Sequence, residues 1–208
     1  MISNTKLSLP ANTNLVIANA PKIKIIAFAS STGGTEALEK ILRALPAAIP
    51  PVLIVQHMPS GFTKLFADRL NTICAMEVRE ARNHECLLWG QALVAPGDYH
   101  MRLEWVQRKM AVECFAGQKI HGVMPSADIL FESAANFVRE KAIGVVLTGM
   151  GADGARGLLK MRQCGARTIA QDQATSVVYG MPKIASDMGA AEYILPLDMV
   201  AGKIMSLL

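Results

Sequence analysis

The sequence predicts an α/β fold: a doubly wound, mostly parallel sheet with an antiparallel hairpin extension, Rossmann-like and three-layered. Three observations predict it. From residue 22 onward, apolar β-branched runs alternate with stretches of helical periodicity, the pattern of βα units joined by crossovers. Around residues 100–115 the helical period gives way to strict apolar/polar alternation, which marks a hairpin. The chain has 208 residues, 51% of them hydrophobic, which suffices for one well-packed core and argues against disorder.

Residues 1–21 are rich in Asn, Thr, Ser and Pro and contain no Asp or Glu, and they read as a tail or linker ahead of a domain spanning 22–208. Residues 23–30 form an apolar β-run. Residues 35–45 follow with Ala37, Leu38, Ile41, Leu42 and Leu45 on one helical face. Pro50 and Pro51 break the chain before a strand at 52–57, and Phe62, Leu65, Phe66 and Leu70 mark a second amphipathic helix. Short strands are expected at 77–81 and 91–95, and the hairpin at 100–106 and 109–115. Residues 126–140 return to helix, with Ser126 as N-cap and Asp128 in the first turn. Strands at 142–148, 167–171 and 192–195 then alternate with helices at 152–163, 182–188 and 198–207.

Composition excludes several classes. The net charge of +4 is mild, and Lys and Arg are scattered without basic runs or aromatic interleaving, so no nucleic-acid partner is expected. No apolar run approaches the roughly 18–20 residues that span a bilayer, so membrane insertion is not expected. The N-terminus lacks the basic-then-apolar pattern of a signal peptide. Cys74, Cys86, Cys114 and Cys164 form no C-x-x-C pair and stand beside no His at ligand spacing. They read as buried reduced thiols in a cytoplasmic protein, with no metal expected.

Three loops, each following an apolar strand, carry Ser31, His57 and Asp153. Reacting groups in an open parallel sheet collect beyond the carboxyl ends of the strands, and a hydroxyl, an imidazole and a carboxylate are the parts of a nucleophile–base–orienter triad. Glycines after Ser31 would turn backbone N–H groups into a cavity. The plainer reading of that loop is a capping box, with Ser or Thr at the helix start and Glu36 in its first turn. Ser30 and Ser31 are adjacent, and periodicity does not choose between them. His100, at the start of the hairpin, is a second-rank candidate.

The third loop also admits a different function. Gly149-Met150-Gly151-Ala152-Asp153-Gly154 satisfies G-x-G-x-x-G between strand and helix, and Asp172 lies about twenty residues on, where a ribose-binding acid belongs. Asp153 would, however, put a carboxylate where a pyrophosphate must sit. The same carboxylate is well stabilised in its ionised form at a helix N-terminus, which suits the orienting partner of an imidazolium. On the residues alone a hydrolase leads, with a Rossmann-like nucleotide-binding domain and a non-catalytic module as alternatives.

Taken together, the segments STGGTEA at 31–37, VQHMPSGFTKLFADRL at 55–70, ALVAPGDYHM at 92–101, PSADILFESAA at 125–135, LTGMGADGARGLLKM at 147–161 and DQATSVVYGMPKIA at 172–185 resemble the catalytic domain of the chemotaxis-type protein-glutamate methylesterase (CheB) family. The resemblance covers about residues 22–207. It implies Ser31 as nucleophile, His57 as base and Asp153 as orienting acid. It also implies oxyanion or site support from Thr32, Gly33 and the Met150 N–H. Ser30 departs from it, since the family usually has Ala there, and Ala29 replaces a glycine-like position. The implied reaction is hydrolysis of glutamate γ-methyl esters on the cytoplasmic helices of chemoreceptors, an acidic helical bundle, with glutamine deamidation as a side activity and no metal or organic cofactor. The same resemblance makes the non-catalytic alternative a receptor-binding module. Family members usually carry a receiver domain upstream; residues 1–21 offer no phosphoacceptor Asp, so a catalytic domain without a receiver is expected.

Overall fold

The computed structural model describes residues 22–208; the expected tail or linker at 1–21 lies outside the described residues. Its centre is a seven-stranded sheet built from β1 (Ile25–Ser30), β2 (Val52–Gln56), β3 (Glu77–Glu80), β5 (Gln91–Val94), β8 (Ala142–Val146), β9 (Arg167–Gln171) and β10 (Tyr193–Leu195), in the order β10-β9-β8-β1-β2-β5-β3. Every pairing in this sheet is parallel. A second, antiparallel sheet joins β4 (Glu85–Cys86), β7 (Lys109–Phe115) and β6 (His100–Val106) in the order β4-β7-β6.

Alternation along the central strands builds two cores. Ile25, Ala27 and Ala29 of β1 and Leu53 and Val55 of β2 face one layer, with α3 (Ala127–Phe137), α4 (Ala155–Gln163), α5 (Met181–Asp187) and the antiparallel sheet. Ile26 and Phe28, with Val52 and Ile54, face the other, with α1 (Gly34–Ala44), α2 (Phe62–Ile73) and α6 (Leu197–Leu207). Both faces of the central strands are thus covered, the condition under which an all-parallel sheet is stable. The fold class is the one expected.

Strand order reverses at β1: the chain builds β2, β5 and β3 on one side, then β8, β9 and β10 on the other. The crevice beyond the carboxyl ends of β1 and β8 is therefore a topological switch point, where such sheets hold their ligands.

Four details add to or depart from expectation. The short strands at 77–80 and 91–94 join the main sheet in parallel, and the two-residue β4 adds a third strand to the hairpin, too short to show alternation in sequence. The helix at 127–137 stops short of 140 because Arg139 adopts φ 57° and opens a separate 3₁₀ turn at Arg139–Lys141. The helix expected from 152 begins at Ala155, because Gly151 (φ 94°) and Gly154 (φ 87°) take left-handed conformations and keep Asp153 in the loop. The four cysteines are free, as expected, but each is only partly buried.

Candidate active site

Ser31, His57 and Asp153 lie beyond three neighbouring strand ends, those of β1, β2 and β8. Strand parity separates the two serines. Ser30 follows the Ile26, Phe28 series and faces the α1 layer, fully buried, where its hydroxyl donates to Gln56 Oε1 at 2.6 Å. Ser31 is the next residue and only partly buried. The Ser30 hydroxyl is thus buried and committed to an amide, whereas no hydrogen bond engages the Ser31 hydroxyl among the described residues.

The loop after Ser31 is not a capping box. Gly33, with φ 78°, occupies the N-cap of α1 and no side chain caps it, while the Thr35 hydroxyl donates to Glu36 at 2.7 Å. Gly34 N–H donates to Ser31 O at 2.8 Å and closes the turn. The N–H groups of Thr32 and Gly33 have no acceptor among the described residues. Such groups at a helix N-terminus favour negative charge.

His57 donates from Nε2 to Asp153 Oδ2 at 2.8 Å, with side-chain exposures of 10% and 2%. With Nε2 so engaged, Nδ1 is the ring nitrogen left to accept a proton. Asp153 itself is fixed from a second element. Its Oδ1 accepts the Ser126 hydroxyl at 2.6 Å and Asp128 N–H at 3.2 Å, and its Oδ2 accepts Ala127 N–H at 2.6 Å. Asp153 therefore caps α3. Ser126, expected to cap that helix, makes no capping bond and instead donates to the acid that does. Burial opposes ionisation of Asp153 most strongly, but the hydrogen bonds from His57, Ser126 and Ala127 N–H together outweigh it and hold the carboxyl below its usual range.

Behind the acid lies a supporting shell that the sequence did not announce. Asp128 is buried; its Oδ1 accepts Gly157 N–H at 2.8 Å, and its Oδ2 accepts His121 Nε2 at 3.1 Å and Arg156 Nε at 3.3 Å. His121, Asp128 and Asp153 bring ligand atoms within 4.8 Å of one another, the described cluster nearest to a metal-binding geometry. Their carboxylate oxygens are already occupied by these donors. His100 is not a reacting group: it is 1% exposed, its Nε2 donates to Gln118 O at 2.9 Å, and its Nδ1 accepts Ser126 N–H at 3.1 Å. It holds the segment that presents Ser126.

Two glycines of the 149–154 loop have packing reasons. A Cβ at Gly149 would lie 2.7 Å from Ser31 Cβ, and one at Gly154 would lie 3.2 Å from Ala127 Cβ. The Gly149–Met150 backbone thus runs directly beside Ser31, while the Met150 side chain is 74% exposed. On the other side, a Cβ at Gly33 would lie 2.6 Å from Val177 Cβ. Thr148, buried between, donates to Thr32 O at 2.9 Å and accepts Val178 N–H at 2.9 Å, tying both flanking loops together.

The family model described as CheB methylesterase matches residues 26–204. A protein of Syntrophomonas wolfei named protein-glutamate methylesterase/protein-glutamine glutaminase 2 is 48% identical over 184 residues, covering 88% of this chain and 54% of its own. A Syntrophotalea carbinolica protein named protein-glutamate methylesterase/protein-glutamine glutaminase is 50% identical over 185 residues, covering 89% and 52%. The crystal structure of the Thermotoga maritima CheB methylesterase catalytic domain superposes with a TM-score of 0.87 at 39% identity, covering 90% of this chain and all of that one. The chain spans about half the length of the curated relatives it matches. These likenesses support the methylesterase reading and not the nucleotide-binding one.

Proposed function

The chain belongs to the CheB methylesterase family, and from that premise we propose that residues 22–208 form its catalytic domain and hydrolyse glutamate γ-methyl esters on the cytoplasmic helices of a methylated chemoreceptor. Deamidation of receptor glutamines is proposed as a second activity, because the same acyl centre with ammonia as leaving group needs no other machinery. The observation that carries the reading is the buried His57–Asp153 pair at 2.8 Å, set beyond the strand ends next to Ser31. No helix among the described residues is long and apolar enough to cross a membrane. A cytoplasmic site of action is part of the proposal.

In this mechanism neutral His57, its Nε2–H held by Asp153, takes the Ser31 proton on Nδ1 as Oγ attacks the ester carbonyl. The tetrahedral oxyanion faces backbone N–H groups of the Thr32–Gly33 turn and of Met150, a type of interaction worth roughly 3–4 kcal/mol per donor. The imidazolium returns the proton to the leaving methoxide, and methanol departs. Water, deprotonated by His57, then resolves the acyl-enzyme to glutamate and free Ser31. Asp153 stays ionised throughout and stabilises the imidazolium.

The test is methanol release from a methyl-labelled receptor cytoplasmic domain. Ser31→Ala is expected to lose roughly four or more orders of magnitude in turnover, while Ser30→Ala loses only about threefold. Loss in Ser30→Ala with Ser31→Ala active would reverse the assignment of the nucleophile.

A further inference from the structure

The backbone ladder between β1 and β2 ends where the catalytic chemistry begins. Its last rung pairs Ser30 with Gln56, and the final inter-strand bond runs from His57 N–H to Ser30 O at 3.0 Å. Beyond it one chain turns into α1 and the other into the Met58-Pro59 turn. No backbone hydrogen bond joins Ser31 to His57 among the described residues.

One side chain bridges that gap. Gln56, 3% exposed, donates from Nε2 to Ser31 O at 3.0 Å and to His57 O at 3.2 Å, while its Oε1 accepts the Ser30 hydroxyl at 2.6 Å. The amide orientation follows from its partners: two carbonyls can only accept, so the nitrogen must face them. The room for it is specific. A Cβ at Gly34 would lie 2.3 Å from Gln56 Oε1 and 2.6 Å from Ser30 Cβ, so the glycine at the start of α1 is required by the bridge.

We infer that Gln56, oriented by Ser30, is a positioning residue that sets the spacing of Ser31 and His57 by holding both of their carbonyls in a single amide. The inference rests on the Ser31–His57–Asp153 reading. It gives Ser30 a purpose: the hydroxyl that looks like a rival nucleophile in sequence locks the rotamer of the amide. A ladder alone fixes strand register, but it does not fix the two residues beyond its end. Misplacement of reacting groups by about 1 Å can cost on the order of 100-fold in rate.

The experiment measures phosphonylation of Ser31 by a small alkyl fluorophosphonate. In that reaction Oγ bonds to phosphorus, fluoride leaves and His57 takes the hydroxyl proton. Such a probe has no receptor contacts, so its rate follows Ser31–His57 geometry. We expect Gln56→Met to be labelled about tenfold or more slowly, Ser30→Ala about threefold more slowly, and the double variant no more slowly than Gln56→Met, since the two act as one unit. On the receptor substrate the loss should fall on kcat with KM within about twofold. Rates within twofold of the parent chain, or losses that multiply in the double variant, overturn the inference. If Gln56→Met does not fold, the Ser30→Ala rate decides it in the same way. A parent chain that is not labelled, or Ser31→Ala that is, brings down the triad reading itself and the inference with it.

Discussion

Two histidine–carboxylate pairs in this protein look alike by distance and differ in everything else. His57–Asp153 closes at 2.8 Å beyond the parallel sheet, and His84–Glu104 at 2.6 Å on the rim of the antiparallel one. The second pair is the shorter, but the His84 side chain is 59% exposed and the Glu104 side chain 21%. Glu104 has no other donor among the described residues, whereas Asp153 receives Ser126, Ala127 and Asp128 besides His57. A short contact in water is screened and its partners move freely; a contact between groups fixed by several donors in a dry setting keeps its geometry through a reaction. The two pairs differ in the fixing rather than in the distance.

The largest expected effect comes from breaking the buried pair. Asp153→Asn should lower methanol release by roughly 10³–10⁴-fold, because the imidazole loses the partner that fixes its tautomer and stabilises its cation. Turnover above about a tenth of the parent's would show that Asp153 is only a cap. The same variant should unfold in less urea, by about 1–2 kcal/mol, since the hydrogen bonds from Ser126, Ala127 and Asp128 lose their charged acceptor.

Removing one fixing donor should do less. Ser126→Ala leaves Asp153 with two backbone N–H groups and His57, and we expect turnover to drop about threefold to tenfold with about 1 kcal/mol of stability lost. No change in either, read from initial rates and urea melts, would mean that the backbone alone positions the acid.

A pH series sharpens the comparison further. The folded-state pKa of Asp153 is held below its unfolded value near 4, so the ionised carboxylate contributes stability at all pH above that value and loses it as pH falls through the folded pKa. The unfolding free-energy difference between the parent and Asp153→Asn should therefore shrink as pH falls below about 4. A difference that shrinks at neutral pH instead would mean that the carboxyl is not held ionised.

The smallest effect belongs to the exposed pair. Glu104→Gln should change turnover by less than about twofold and stability by no more than about 0.5–1 kcal/mol, with that change disappearing in about 1 M salt. A larger, salt-insensitive loss would give the antiparallel rim a role that its exposure argues against.

Much of this was legible along the chain. The hairpin strands 100–106 and 109–115 and the strand 167–171 fall where alternation and β-branched content put them. The three loops bearing Ser31, His57 and Asp153 could be placed at one sheet edge because every βα loop of a parallel sheet emerges there. Less legible were contacts between elements far apart in sequence. Ser126 carries a good capping signal, yet its hydroxyl serves Asp153, 27 residues away. The glycines of the 149–154 loop match a phosphate-binding pattern, yet Ser31 presses against Gly149 and Ala127 against Gly154, and Gly151 serves the left-handed backbone of the turn.

Sequence by itself determined the alternating architecture, the chemistry of the side chains delivered to the strand ends and, through long ordered motifs, the family. Tertiary structure alone decided which of two adjacent serines is free, which ring nitrogen of His57 meets the acid, and which helix that acid caps. The physical reason is range. Periodicity and turn chemistry act over a few residues and are written locally. The identity of a hydrogen-bond partner depends on which face of a strand looks toward which layer, and that is defined only once the sheet has closed its crossovers.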